Sequence, residues 1–331
     1  MKLSIDKNGN ILKIDTDEFS IPFRREYGFC YVKDEVVYKI DLKKEEDKFI
    51  TVQNGIKYTL YYEEMGNYAV IHMRIENTSK YDFSPELLIF DLGVDSYMET
   101  YPSWNNKFFP TLIRCEKSHL YGYFMNTNKQ SLGIITSNPV SSYDYTYTSI
   151  EGVRDLGHRI TGQRLHIINH TDMKMARSRA LKTLKHGEIY ENKIYLVPMN
   201  SDADILENLS NIGNVPMIKG DKFTYDIGEK LNINIISRDR YNAYIISPKG
   251  DIMNYDNFTF NDYGLYTLKV ETASKKISEA KLYCKKDWKF YLKNAAKEAI
   301  RKPQKATTHT ESWYGLFSLF LAAKRFHDKA I

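Results

Sequence analysis

The sequence predicts a mainly β protein that ends in two helices, and three observations carry that expectation. Short runs that alternate apolar and polar residues, rich in Val, Ile, Tyr and Thr and broken by Asn, Gly, Pro and Ser, fill the chain up to about residue 198. Runs of the same kind return between 217 and 286. Only after 287 does the apolar spacing lengthen to the three- and four-residue steps of a helix. At 331 residues there is room for two or three domains, each with its own core.

The first segment, 1–198, reads as a large sandwich of antiparallel sheets. Its clearest strands are 58–62, 68–75, 87–92, 132–136, 165–168 and 194–197. In the second of these, Ala69, Ile71, Met73 and Ile75 share one face while Tyr68, His72 and Arg74 share the other, so one side belongs to the core. Helical periodicity is almost absent, apart from 173–185, which is either a short helix or a connection. A linker follows at 199–216. Ser201, Asp202 and Asp204 before Ile205, Leu206 and Leu209 read as a polar N-cap and short helix, stopped by Gly213 and Pro216.

The second strand-rich segment, 217–286, has the size of a small β-sandwich, with strands expected at 223–226, 231–237, 243–247, 257–260, 265–271 and 279–284. Its sharpest local signal is Asp262-Tyr263-Gly264-Leu265-Tyr266. That run resembles the D-x-G-x-Y corner of immunoglobulin-like domains. The resemblance implies a Tyr266 hydroxyl bonded back to the main chain and a cysteine two residues later; Leu268 stands at that place, so the inter-sheet disulfide is missing. Some other small sandwich is the alternative.

In the last segment, 287–331, Trp288, Tyr291, Leu292, Ala295 and Ala299 fall on one helix face, with Asp287 placed to cap the start and Pro303 to end it. Thr308-His309-Thr310-Glu311 forms a capping box, so a second helix begins near His309. Its apolar residues cover essentially the whole circumference, and such a helix must be surrounded by protein. Two readings meet that demand. Either the chain is the front of a longer protein whose further helices cover this one, which is the preferred reading, or the helix docks on the sandwiches or another subunit.

Composition narrows the function. Net charge is +5, from 47 basic and 42 acidic residues mixed along the same segments, which argues against a nucleic-acid partner. No stretch of 18 apolar residues and no secretory leader is present, so no membrane association is expected. Cys30, Cys115 and Cys284 are scattered and odd in number, which disfavours a disulfide framework or zinc site and fits a cytoplasmic location. Neither a cofactor nor a metal is expected. His166 and His170 have helical metal-pair spacing but sit in a strand pattern, where four residues span ~13 Å. Serine-hydrolase, P-loop and dinucleotide motifs are absent.

The order of modules, a large sandwich, an immunoglobulin-like sandwich and then helices, together with the segment KATTHTESWYGLFSLFLAAKRF, resembles carbohydrate-active enzymes whose catalytic domain is an (α/α)6 toroid, the six-hairpin glycosidase-like group. The resemblance implies that this chain is the N-terminal accessory part of a glycoside hydrolase or related polysaccharide-processing enzyme acting on oligosaccharides, partnered by a C-terminal helical domain. The segment has Glu311 but not the Asp-x-x-Asp of the related cellulases. Glycoside hydrolysis uses two carboxyl groups roughly 5–9.5 Å apart. Glu311 and Asp328 would lie roughly 25 Å apart along one helix, so the main catalytic carboxylates are expected beyond Ile331 and none is assigned here.

Candidate saccharide-contacting residues are His309, Glu311, Trp313 and Tyr314 at the helix start, where a hydrogen-bonding pair would sit beside a stacking face. The plainer reading makes Glu311 part of the capping box and Trp313 and Tyr314 core. In the first sandwich, the loop 101–107 offers Trp104 as an aromatic plate, or simply a packed loop tryptophan. Arg159 and Arg164, between Gly157 and Gly162 and beyond, form a candidate clamp for an acidic sugar or phosphate, or an ordinary solvated hairpin. The alternative function is a noncatalytic carbohydrate-binding or structural sandwich protein.

Overall fold

The computed structural model describes residues 1–24, 27–98, 106–147, 160–170, 183–301 and 309–326, with side chains in the last stretch from 317 to 325. The chain is mainly β and divides into two compact units. The first is Met1–Met217 with Ile236–Tyr241 and Glu271–Ser278; the second is Ile218–Ile235, Asn242–Val270 and Glu279–Ile331. The expected helix or connection at 173–185 lies outside the described residues as far as 182.

Three antiparallel sheets build the first unit. The eight-stranded sheet runs, in spatial order, Phe109–Cys115, Leu120–Met125, Ser131–Thr136, Ile189–Met199, Ala69–Asn77, Ile56–Glu64, Lys48–Gln53 and Lys43–Glu45. The five-stranded sheet runs Ser142–Tyr147, Ile160–Asn169, Leu87–Asp91, Gly28–Lys33 and Val36–Lys39. Lys2–Ile5, Ile11–Asp15 and Ser20–Pro22 make the third. Strand periodicity decides which residues meet. Ile71, Met73 and Ile75 are almost fully buried on the face predicted to be core, and Tyr58 and Leu60 lie beside them across the register.

Phe29, Phe90 and Leu165 close the core from the five-stranded sheet, with the Phe29 and Tyr58 rings 5.4 Å apart between the sheets. Each such side chain contributes roughly 1.5–3 kcal/mol by leaving water. Truncating Phe90 would cost about 3–5 kcal/mol.

Helix α1, Asp204–Asn211, lays Ile205 and Leu209 against Ile135, Val197 and Met199 on the outer face of the eight-stranded sheet. Its cap differs from the expected polar one. Ala203 holds the N-cap position without a side-chain bond, and Ser201 Oγ accepts from the Ala203 N–H at 3.2 Å.

The second unit carries a five-stranded sheet, in order Thr224–Tyr225, Ile277–Cys284, Gly264–Thr272, Tyr241–Ile246 and Ile252–Asn254, and a two-stranded pair, Met217–Lys219 with Asn234–Ile236. Both sheets draw on residues at the border of the two units. Tyr225, Phe260, Tyr266 and Leu282 pack its core. The Tyr266 hydroxyl donates to the Asp262 carbonyl at 2.9 Å and accepts from the Asp262 N–H at 3.2 Å, which is the corner bond that the D-x-G-x-Y run implies. Leu268, in the place of the absent cysteine, is fully buried. The expected strand at 257–260 is instead a turn with one isolated bridge, Lys230 to Thr259.

Helix α2 spans Trp288–Arg301 and helix α3 His309–Phe326, packed against each other. Asp287 opens α2 as expected, its Oδ1 accepting from the Lys289 N–H at 2.6 Å. The covered side of α2 agrees with the predicted one in part: Tyr291, Leu292 and Ala299 are half-buried, but Ala296 is the buried residue, while Ala295 is exposed and Trp288 is 65% exposed. Contact with α3, absent from a single-helix periodicity, selects the face. On α3, Ala322 is buried but Phe317 and Phe320 are 64% and 72% exposed, so within the described side chains the helix is covered on one side only. No described helix is long and apolar enough to cross a membrane.

Candidate functional site

The register of the five-stranded sheet assembles a polar outer face from residues far apart in sequence. Asp144, Arg164, Asp91 and Gly28 form one cross-strand row, and Ser142, His166, Ile89, Cys30 and Lys39 form the next. Because side chains alternate, the neighbours Leu165, Phe90 and Phe29 point the other way into the core and anchor these strands. Register irregularities at Leu88/Ile89 and Thr146/Tyr147 flank the rows, the kind of bulge that re-aims side chains next to a site.

A cavity of about 470 Å³ opens on this face. Arg164, Lys39 and Asp91 supply its charged groups and Thr146 and Thr161 its hydroxyls. Gly28 explains why there is room: a Cβ placed there would meet nothing within 4 Å, and its φ of +107° disfavours any residue that would bring one. Gly162 has the opposite reason for lacking a side chain. A Cβ there would stand 2.5 Å from both Asp91 Oδ2 and Thr146 Oγ1.

Asp91 is held in place by the main chain, its Oδ1 accepting from the Gly93 and Gln163 N–H groups at 3.0 and 3.1 Å. Burial pushes the Cys30 thiol up to about 11, with Arg164 partly opposing and Asp91 adding to the rise, so it is a neutral wall of the cavity and not a nucleophile. Burial likewise pushes the Cys115 thiol up to about 12.

Three buried side-chain atoms on the strand Ile160–Asn169 lack a hydrogen-bond partner among the described residues: Gln163 Oε1, Arg164 Nε and His166 Nε2. Groups in that condition destabilise a fold unless something else meets them. Around His166 the polar chain is short. Asn169 Nδ2 donates to Ser142 Oγ at 2.8 Å, and Ser142 Oγ lies 2.7 Å from His166 Nδ1. Asn169 Nδ2 is also 3.5 Å from Nδ1. Burial lowers the His166 pKa to about 4, against the opposing pull of Asp144 and with help from Arg164, so the ring is neutral near pH 7.

Of the residues expected from sequence, Arg164 alone is placed on this cavity. Trp104 and Arg159 lie outside the described residues. His309, Glu311, Trp313 and Tyr314 belong to the first turns of α3, in the second unit, and their side chains lie outside the described set. His170 bonds Ser84 Oγ at 2.9 Å, whereas His166 is engaged by Ser142. Sequence reasoning missed Asp91, Lys39, Thr146, Thr161 and the Ser142–His166–Asn169 chain. Strand alternation marked them as outward-facing at best, and only the register brings them together. Among the described residues no group of His, Cys, Asp and Glu has the arrangement to hold a metal ion.

No protein-family model matches the chain, and no curated protein sequence matches it. Among solved structures the chain is similar to a polysaccharide lyase, with a TM-score of 0.62 and 14% identity over 93% of this chain and 49% of the lyase. The chain therefore spans about half the length of that structure. A galactose mutarotase-related enzyme from Lactobacillus acidophilus also matches, with a TM-score of 0.36 and 10% identity over 60% of this chain and 94% of that one. At 14% identity the likeness to the lyase is one of fold.

Proposed function

We propose that this chain is the β-sandwich part of a carbohydrate-processing enzyme and that the outer face of its five-stranded sheet contacts the saccharide. The observation that carries this reading is the cavity of about 470 Å³ with Arg164, Asp91, Thr146 and Thr161 on its wall, beside buried polar atoms that nothing described satisfies. Its volume lies within the ~300–1,000 Å³ of small-molecule sites, and its mixture of hydroxyl, carboxylate and cationic groups suits a polyhydroxylated ligand. The fold shared with a polysaccharide lyase supports the same reading.

The chemistry is assigned elsewhere in the full protein. Among the described residues Asp91 is the one carboxylate on the cavity wall, and its Oδ1 is already committed to two backbone donors, so the described residues do not form the facing pair that glycoside hydrolysis needs. The exposed Phe317 and Phe320 of α3 suit a helix that continues into a larger helical domain, an (α/α)6 toroid beyond Ile331 in which the principal catalytic groups would lie. In that setting His309, Glu311, Trp313 and Tyr314 would line the rim of the toroid. The same lack of a carboxylate pair favours a second reading, a carbohydrate-binding protein without turnover.

The test measures binding and turnover separately with this 331-residue chain over a panel of oligosaccharides. Binding without product formation is the expected result. Turnover by this chain would overturn the placement of chemistry downstream. Binding unchanged by Asp91→Asn together with Thr146→Val would overturn the placement of the saccharide site.

A further inference from the structure

We infer that the cavity on the five-stranded sheet is a subsite for an acidic sugar residue, whose carboxylate would lie between Arg164 and Lys39. The inference deepens the saccharide reading and rests on it. Its starting point is charge. Two cations, Arg164 and Lys39, face the cavity against one carboxylate, Asp91. Asp91 Oδ1 is already occupied by the Gly93 and Gln163 N–H groups. Asp144 stands across the strand pair from Arg164, and its Oδ1 accepts from the Tyr145 N–H at 2.7 Å. Asp6 feels Lys39 as a minor influence that lowers its carboxyl, behind burial and its bonds to Asn10 and Asn8. Among the described lining residues this leaves an excess of one positive charge.

The second observation is the buried Nε of Arg164, which has no hydrogen-bond partner among the described residues. Guanidinium donors lie in a flat fork that matches two carboxylate oxygens, so a planar monoanion satisfies both the geometry and the single excess charge. Lys39, exposed at the far side of the cavity, adds a point charge on a flexible stem. Between the two cations the floor is open because Gly28 has no side chain and a Cβ there would touch nothing within 4 Å. Thr146 and Thr161, their Oγ1 atoms 3.2 Å apart, are placed on the same wall to meet ring hydroxyls. The protonated Cys30 thiol adds no opposing charge.

The experiment is calorimetric titration of the intact chain with four probes of equal length: a galacturonate tetrasaccharide, its methyl ester, the neutral counterpart, and the neutral counterpart carrying sulfate esters. The acid is expected to bind at least about tenfold more tightly than the ester or the neutral sugar. Arg164→Gln should weaken binding of the acid by about ten- to a hundred-fold and so remove its advantage over the neutral sugar. Lys39→Gln, at an exposed position where folding is not at stake, should weaken it by about two- to fivefold. Arg164→Lys, which keeps the charge and loses the fork, should fall between wild type and Arg164→Gln.

Equal binding of acid and ester would overturn the acidic-sugar inference while leaving the saccharide reading in place. Binding of the sulfated probe alone would overturn the assignment to a carboxylate. Binding of none of the four would overturn both readings.

Discussion

On the outer face of the eight-stranded sheet, His72 Nε2 meets Glu63 at 3.1 Å and its ring stacks on Tyr61 at 4.1 Å, while Arg74 is bonded to both Glu76 and Glu191. Beyond them, α1 covers Ile135 and Val197 with Ile205 and Leu209. The outer face of the five-stranded sheet, made by the same alternation of side chains, is organised in another way. There Arg164 Nε and His166 Nε2 are buried without partners among the described residues, and two positions, Gly28 and Gly162, carry no side chain. One face spends its polar groups on each other and on a helix; the other keeps some of them unmet beside an open volume. Unmet capacity costs stability, and what it leaves is the capacity to bind.

The largest effect that would break this comparison is the pH dependence contributed by His166 of the five-stranded sheet set against that of His72 on the eight-stranded one. His166 titrates near 6.5 when unfolded and at about 4 when folded, because burial disfavours its charged form. Between these values the unfolded chain binds more protons, so stability rises with pH across that window and is lost as pH falls from 6.5 towards 4. The loss from this group is about 3 kcal/mol at the acid end. His119, lowered to about 3 by burial with help from Lys276 and Arg114, adds to it in the same direction. His72 is lowered too, by burial first, but Glu63 opposes the shift, so its share is smaller. Urea denaturation between pH 7 and 4 should show His166→Gln flattening the slope by more than His72→Gln does. An equal change in the two variants would remove the contrast.

A smaller effect separates glycines on the two sheets. A Cβ at Gly162 collides with Asp91 Oδ2 and Thr146 Oγ1 at 2.5 Å, and Asp91 cannot move without releasing two backbone donors. Gly162→Ala should therefore cost about 2 kcal/mol by urea denaturation. At Gly133 of the eight-stranded sheet the nearest atoms are the ends of Ile205 and Met199 at 3.2 Å, which can yield. There Gly133→Ala should cost under about 1 kcal/mol. Similar costs at both positions would show that the Asp91 position is not specially held.

These contrasts also mark where sequence stops being informative. The face assignment of 69–75 follows from a period of two and holds in the structure, as does the Tyr266 corner, because both are local. The mainly β class and the two closing helices were legible for the same reason. The site is not local. Asp91, Arg164, Gly28 and Lys39 come from four strands with a spread of more than a hundred residues, and nothing in periodicity fixes which outward residue faces which. Arg164 was visible as one of a pair of arginines near glycines, but as a hairpin clamp and not as the wall of a cavity. The covered side of α2 was legible only in part: Tyr291, Leu292 and Ala299 are half-buried as their spacing implies, but Ala296 and not Ala295 is buried.

The finest test of the comparison is a pair of arginine replacements whose effects should differ in sign. Arg74 is 40% exposed and bonded to Glu76 and Glu191, so Arg74→Met removes a surface network and should lower stability by less than about 1 kcal/mol. Arg164 has a buried Nε with nothing to donate to among the described residues, and Met fills a similar volume without a polar atom to satisfy. Arg164→Met should raise stability by about 1 kcal/mol in urea denaturation. A gain in stability from removing a charged group is the signature of a residue retained for what it binds. A loss equal to that at Arg74 would mean that Arg164 supports the fold through partners of its own, and the difference between the two faces would then lie in the cavity alone.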